Sequence, residues 1–242
     1  MPPCLHRWSG AGRRTPAPLT SAQQRLWLFE QLHPGSPAYH LPAAVRLSGV
    51  LDEGALERAF AALADRHEAL RATFREQDGT PSQVTRPGLA PGMRRVDLRE
   101  TPAAEREATA LRLAREEACA PFNLVNGPAC RLTLFRLDTH EHLLVVVLHH
   151  LVSDGASFAI LARELSALYT AFSSGREASL PVLPFQYPDF ARWRRERDEE
   201  AARSASMDWW KQRLAGAPSA LELPADHPRP PVPSYRGARV PL

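Results

Sequence analysis

The fold of this chain is decided by one stretch of its sequence, Val145-Val146-Val147-Leu148-His149-His150-Leu151-Val152-Ser153-Asp154-Gly155. An uninterrupted run of aliphatic, mostly β-branched residues ends in two histidines, which is typical of a strand buried on both faces. Beyond Gly155 apolar residues recur at helical spacing and predict a helix over residues 155–173. We therefore expect strand, short loop and helix in that order, with Ser153 and Asp154 at the cap of the helix.

The two adjacent histidines are not expected to share one pocket if the strand continues to His149. Successive side chains of a strand point to opposite faces of the sheet. One imidazole should therefore face a pocket and the other should lie in the packed interior. This geometry argues against a metal site built from both rings and predicts one working histidine and one structural histidine.

The composition excludes several classes of function. The chain has 242 residues, 44% of them hydrophobic, and no apolar run approaches the roughly 18–20 residues of a membrane helix. Its 30 basic and 27 acidic residues leave a net charge of +3, and the densest basic run, at 192–197, is followed at once by acidic residues. We expect neither a membrane nor a nucleic-acid partner. The opening residues lack the apolar segment of a secretion signal, which predicts a cytoplasmic location.

Cofactor and metal signatures are missing from the sequence. The three cysteines, Cys4, Cys119 and Cys130, are an odd number without the paired spacing of a zinc site, so neither disulfides nor a metal is expected. Neither a Gly-x-Gly-x-x-Gly turn after a strand nor a P-loop pattern occurs. No bound cofactor is therefore expected.

Three helices are expected before the decisive stretch. Ser21 and Gln24 have the spacing of a capping box, Asp52 can cap the second helix, and Thr101 with Pro102 can start the third as cap and first helical residue. Another long helix is expected from about residue 189 to 214.

Strands are expected between these helices, at residues 39–48, 73–75, 82–85 and 131–137. Asp78-Gly79 predicts a hairpin turn between the second and third of them. The alternation of helices with an antiparallel hairpin predicts an α/β (α+β) fold, in which helices cover a mixed sheet.

Five stretches follow one another at an order and spacing that a known family shares. They are Ser21–Trp27 with Pro34–Tyr39, Arg66–Phe74, Pro121–Leu124 with Gly127-Pro128, His149–Gly155, and Tyr187–Trp193. Together they resemble the condensation domains of nonribosomal peptide synthetases, which are related to chloramphenicol acetyltransferase. Asn123 stands where the family usually has Asp. Any one stretch alone is a weak signal, whereas five in order are specific.

The resemblance implies a domain organisation. It covers about residues 17–242 but only the first half of a condensation domain, so a chloramphenicol-acetyltransferase-like lobe is expected and the second lobe is expected to be absent. Residues 1–16 are interpreted as a flexible basic tail and 17–175 as the N-terminal lobe. Residues 176–242 are interpreted as a helix and proline-rich linker that leads to the missing lobe.

The resemblance also implies a reaction and its residues. Condensation domains join a carrier-bound acyl thioester to a carrier-bound aminoacyl amine, with both substrates on the phosphopantetheine of carrier proteins. His150 matches the histidine that meets the amine proton, and His149 is expected to be structural. Asp154 is expected either to cap the helix or to form an ion pair with Arg66, and Gly155 to let backbone or substrate approach closely.

The sequence is compatible with other functions. The paired histidines exclude heterocyclisation domains, which have aspartate there, and the opening motif and Pro34–Tyr39 fit condensation better than epimerisation. A non-catalytic, truncated docking lobe is one alternative. Acyl transfer to a free small molecule is another, because the acetyltransferase shares the His-x-x-x-Asp-Gly core.

Overall fold

A four-stranded mixed sheet and a smaller three-stranded sheet carry the fold in the computed structural model, which describes residues 16–201, 205–218, 221, 224–228 and 231. The strands are β1 (Ala17–Pro18), β2 (His40–Ser48), β3 (Ala72–Gln77), β4 (Thr80–Thr85), β5 (Met93–Asp97), β6 (Cys130–Arg136) and β7 (Glu141–His149). The helices are α1 (Ser21–Leu32), α2 (Glu53–Arg66), α3 (Ala103–Cys119), α4 (Gly155–Ser173), α5 (Tyr187–Ala201) and α6 (Ala205–Arg213). Short 3-10 helices lie at Pro37–Tyr39 and Glu68–Arg71.

Strand β7 is an inner strand of the larger sheet, whose order is β2-β7-β6-β5. It pairs antiparallel with β2 and β6, whereas β5 pairs parallel with β6. Val145 and Val147 pack in the core that includes α3, and Leu144 and Leu148 pack on the opposite face in the cores that include α2. The predicted two-sided burial of this strand is therefore confirmed.

The smaller sheet has the order β1-β4-β3. The turn between β3 and β4 is made by Asp78 and Gly79, whose φ angles of 51° and 73° both lie in the left-handed region. Two such residues form the hairpin turn whose twist matches that of its strands. The predicted Asp-Gly hairpin is confirmed, and both of its strands are longer than predicted.

Two predicted helix starts were wrong by one residue. Thr20, not Ser21, caps α1: its Oγ1 accepts a hydrogen bond from the Gln23 N–H, and Gln23 Oε1 accepts one from the Thr20 N–H. The capping-box spacing fits both pairs in the sequence, but Thr20 is the residue with extended backbone. Pro102 is the cap of α3 rather than its first helical residue.

The chain has two compact units, and the predicted boundary at residue 175 stays a prediction. One compact unit extends to Arg195, and a second begins at Glu196. Within the first unit, Gln186 binds the backbone at Arg66 and Glu68, and Tyr187 contacts Thr20. The predicted long helix is described as α5 and α6, with residues 202–204 outside the described part. The predicted tail at 1–16, apart from residue 16, and most of the predicted linker also lie outside it. Within the described residues, no helix is long and apolar enough to cross a membrane.

Candidate active site

The two histidines occupy different environments. His149 is the last residue of β7, has an exposed fraction of 0%, and follows the alternation that places Val145 and Val147 in the interior core. His150 lies in the turn after the strand and is partly exposed. The prediction of one interior imidazole and one accessible imidazole is confirmed.

Both ring nitrogens of His149 are engaged. Its Nδ1 accepts a hydrogen bond from the Leu151 N–H at 3.1 Å, so its Nε2 carries the proton that faces Glu30 Oε1 at 3.2 Å. The rings of His40 and Phe122 lie edge-on at 5.8 and 5.9 Å between centroids. His149 therefore fixes the backbone of the loop and has no nitrogen left for a substrate.

His150 is held by one nitrogen only. Its Nδ1 lies 2.8 Å from the carbonyl oxygen of Ser153, and its backbone N–H donates to the carbonyl oxygen of Tyr39 at 2.9 Å. A carbonyl can only accept, so Nδ1 must carry the hydrogen. In the neutral ring Nε2 then carries a lone pair and no hydrogen. Nε2 makes no hydrogen bond within the described part of the chain. This tautomer is the one that a proton acceptor requires.

The first and fifth matched stretches support residues 149–155, which we call the histidine loop. Gln23 is buried, and its Nε2 donates to the carbonyl oxygen of Leu151 at 2.9 Å. The hydroxyl of Tyr187 lies 3.3 Å from Oγ1 of Thr20, the residue that caps the helix carrying Gln23. Residues far apart in the chain thus hold one loop in place.

The second and third stretches join the same assembly. Gln186, next to the fifth stretch, accepts from the Glu68 N–H and donates to the Arg66 carbonyl oxygen, both at 3.0 Å. The Phe74 N–H donates to the carbonyl oxygen of Leu124 at 2.8 Å. Asn123, which stands where Asp is usual, acts as an acceptor: its Oδ1 accepts a hydrogen bond from the Asn126 N–H at 3.0 Å. The motifs of the sequence are therefore contact partners in space.

Asp154 is the cap of α4. Its Oδ1 accepts from the Ser157 N–H at 2.9 Å and from the Ser157 hydroxyl at 2.6 Å, and its own N–H donates to that hydroxyl at 3.1 Å. These hydrogen bonds lower the pKa of the Asp154 carboxyl. The capping interpretation is confirmed, and the Ser157 hydroxyl is already used within the turn.

Arg66 does not hold Asp154, and that alternative was wrong. Its Nε lies 3.0 Å from Glu164 Oε2 and its Nη2 donates to the Pro181 carbonyl oxygen at 2.5 Å. His67 Nε2 reaches the same Glu164 oxygen at 2.7 Å. Asp154 is exposed and satisfied in its own turn, so the buried carboxylate of Glu164 attracts the guanidinium instead. Burial would raise the pKa of Glu164, but the hydrogen bonds from His67 and Arg66 outweigh it and lower that pKa.

The backbone at Gly155 does not require glycine. A Cβ atom built there meets no atom of the described chain within 4 Å, and its φ is not in the left-handed region. The space beside Gly155 is therefore open, and close approach of a substrate stays a prediction.

Glu30, Gln186 and Glu164 support the site, yet the sequence did not single them out. Glu30 is seven residues after Gln23, on the same face of α1 by helical spacing, which is a signal that could have indicated it. Gln186 lies one residue before a recognised stretch. Glu164 looks like an ordinary solvent-facing residue of α4 until α2 is packed beside it.

Metal and thiol chemistry have little support at these positions. Among the described residues no three His, Cys, Asp or Glu side chains are grouped to hold a metal ion. Cys119 is an exposed free thiol, whereas burial raises the pKa of Cys130 to about 12. Cys130 is therefore a packing residue.

The fold and the loop together define the class, an α/β domain of the chloramphenicol acetyltransferase type with a His-His-x-x-x-Asp-Gly loop. The family model described as Condensation domain matches residues 13–242, and the chain belongs to that family. The expected family and fold are thereby confirmed.

Several known proteins resemble this chain. It is 42% identical over 224 residues to phosphinothricin tripeptide synthetase PhsC of Streptomyces viridochromogenes, covering 93% of this chain and 21% of that protein. It is 42% identical over 220 residues to chondramide synthase of Chondromyces crocatus, covering 91% of this chain and 6% of that one. The solved X-domain from teicoplanin biosynthesis, in complex with OxyB, superposes with a TM-score of 0.81 at 32% identity, over 94% of this chain and 49% of that one. The chain thus spans about half of the solved domain that it matches and a small part of the synthetases.

Proposed function

We propose that this chain supplies one side of an amide-forming active site, the side that carries His150. In the proposed reaction an aminoacyl amine attacks an acyl thioester, each carried on the phosphopantetheine of a carrier protein. The observation that carries the proposal is the orientation of His150, whose Nδ1 is bound to the Ser153 carbonyl oxygen at 2.8 Å. This bond leaves Nε2 as the acceptor in a partly open loop.

The proposed chemistry makes modest demands on the protein. The amine nitrogen forms a bond to the thioester carbon, the C–S bond breaks, and the thiol leaves. Nε2 of His150 takes the proton that the amine loses and can return it to the sulfur. A thioester is already activated, so positioning of two tethered reactants supplies much of the rate, and a positioned base adds about 10²–10⁴-fold.

The rest of the domain is part of the proposal. Relatives of this chain are much longer synthetases, and the solved domain that it matches is about twice the length it covers. We therefore place the second wall of the active site on another half-domain, and carrier proteins on either side of the pair.

A docking role is the second candidate. It is favoured by the likeness to the X-domain that was solved in complex with OxyB. In that case the lobe would bind a partner protein without forming amides, and His149 and His150 would serve only to hold the loop.

Mixing experiments test these functions against each other. This chain would be incubated with a loaded donor carrier protein and either a loaded acceptor carrier protein or free amines. Each arm would be run with and without a polypeptide carrying the second half of a condensation domain, and the amide product measured by mass spectrometry. Product only in the mixture is the expected result. Product with free amines alone would favour a small-molecule acyltransferase, and no product in any arm would favour docking.

A further inference from the structure

A small cavity opens beside the histidine loop, between the end of α2, the start of α4 and the segment before α5. Its volume is about 240 Å³, below the ~300 Å³ at which drug-sized ligand pockets begin but above the ~150 Å³ that holds a benzene molecule. Most of its wall is apolar: Leu70, Val152, Ile160, Leu161, Leu183 and Phe185. The cavity therefore has the size and the surface for a side chain rather than a whole cofactor.

One polar atom in this wall is unsatisfied. Ser153 has an exposed fraction of 8%, and its Oγ has no hydrogen-bond partner in the part of the chain that the structure describes. Buried hydroxyl groups are nearly always paired, so an exception requires an explanation. A ligand that brings its own donor or acceptor would supply one.

The other polar side chains of the wall already make hydrogen bonds within the protein. They are His67, Ser157, Gln186 and Tyr187. No Asp, Glu, Lys or Arg is among the described residues that line the cavity. A charged side chain would lose its hydration there without finding a partner.

The cavity is linked directly to the proposed catalytic group. Ser153, whose Oγ is unsatisfied, also provides the carbonyl oxygen that orients His150 at 2.8 Å. A ligand that contacts Ser153 from the cavity therefore touches the residue that sets the direction of the imidazole.

We propose that this cavity is a side-chain subsite for one of the two substrates, and that it selects uncharged aliphatic side chains, with room for one hydroxyl group at Ser153. The inference rests on the proposed amide-forming function. The same side chain can arrive on the aminoacyl acceptor or on the acyl donor, and the two sources are distinguished by the probes below.

Two thioester probes of N-acetylcysteamine report on the source. Leucyl thioester represents the acceptor, and 4-methylpentanoyl thioester represents the donor because it has the same side chain without the amine. Binding to this chain is measured by titration calorimetry. We expect one of them to bind, and glutamyl thioester to bind at least tenfold more weakly.

A filled cavity and a matched control test the location. Ile160 has an exposed fraction of 39% at the rim, so Ile160→Phe fills the opening without disturbing the core. Leu111, 41% exposed on α3, lies outside the cavity lining, and Leu111→Phe is the control. The proposal predicts at least tenfold weaker binding to Ile160→Phe and unchanged binding to Leu111→Phe. Equal affinity for the two variants, or no binding to the unmodified chain, would overturn it.

Ser153→Ala gives a second, independent readout. Valyl and threonyl thioesters have nearly the same shape, but the threonyl side chain has a hydroxyl group where the valyl side chain has a methyl group. The unmodified chain should favour threonyl, Ser153→Ala should abolish that preference, and the variant should melt at a higher temperature without ligand. An unchanged preference would contradict the role of Ser153. If the binding pattern holds while no mixture forms an amide, the proposed reaction fails and the selective cavity remains.

Discussion

Glu30 links the first helix to the histidine loop through a single hydrogen bond. It faces Nε2 of His149 at 3.2 Å, and the other nitrogen of that ring receives the Leu151 N–H. The direction of the loop backbone therefore depends on a carboxylate that lies 119 positions earlier in the chain than His149. His149 acts as a rigid connector between them.

Replacing Glu30 tests this connection. Glu30→Ala leaves the buried Nε2–H of His149 without an acceptor, so the free energy of unfolding should fall by about 1–3 kcal/mol. Glu30→Gln should recover most of the loss, because an amide oxygen can accept the same hydrogen bond. Urea unfolding followed by circular dichroism measures both. Two variants as stable as the unmodified chain would show that the bond is unimportant.

Asp154 should behave as a helix cap rather than as half of an ion pair. Asp154→Ala is expected to lower the free energy of unfolding by about 0.5–2 kcal/mol, the range for lost caps. Asp52→Ala is the matched control, since Asp52 caps α2 through the Ala55 N–H at 2.8 Å. Thermal unfolding of the two variants should shift similarly. A loss near 3–5 kcal/mol for Asp154 alone would indicate a stranded buried charge.

The carboxylate of Glu164 on α4 binds the side chains of both Arg66 and His67 at the end of α2. Glu164 has a side-chain exposure of 8%, and Arg66 has 16%. Because solvent reaches this pair only slightly, its charges are poorly screened. The contacts of Glu164 hold the end of α2 in place, where His67 lines the proposed subsite.

Glu164→Gln removes the charge and keeps the shape. It should lower the free energy of unfolding at neutral pH by about 1–3 kcal/mol, since Arg66 and His67 lose their anionic partner. The matched control is Glu116→Gln, which breaks the exposed pair of Arg112 and Glu116 on α3 and should cost no more than about 0.5 kcal/mol. Equal effects of the two substitutions would contradict the importance of the buried pair.

The same pair predicts a pH dependence. The pKa of Glu164 is lowered in the folded chain. The contribution of the Glu164 carboxylate to the free energy of unfolding is therefore complete above the unfolded pKa of about 4.3. It is lost as the pH falls through the lower folded pKa. The stability difference between the unmodified chain and Glu164→Gln should therefore be constant above about pH 5.5 and shrink below about pH 4. Urea unfolding at several pH values measures it, and a constant difference throughout would contradict the account.

Periodicity and caps predicted most elements of the first unit, because their residues obey local rules. The run before His149 and the Asp-Gly turn are such cases. Strands β1 and β5 were not predicted. Strand β1 has two residues, and β5 is a five-residue edge strand with exposed Arg94 and Arg95, so neither has an apolar pattern to recognise.

The candidate site was predictable where it depends on one stretch and not where it depends on packing. The different burial of His149 and His150 was predictable from the alternation of side chains along a strand. The partner of Arg66 does not, because the choice between Asp154 and Glu164 is made by burial, which only the packed helices create.

At the scale of the whole molecule, the matched stretches become a shared support for one loop. Gln23 donates a hydrogen bond to the Leu151 carbonyl oxygen, and Leu124 packs in the same core cluster as Leu151. Tyr187 contacts Thr20, which caps the helix that carries Gln23. The chain still spans about half of the solved X-domain structure that it matches. In our proposal the reaction takes place in an assembly larger than this chain.

The central claim is that Nε2 of His150 accepts the amine proton, and the rate of amide formation in the reconstituted mixture tests it most directly. His150→Ala should lower that rate by about 10²–10⁴-fold. His140→Ala, which alters an exposed histidine in the turn before β7, should leave the rate as it is. An amide-forming rate for His150→Ala equal to that of the unmodified chain would contradict the account.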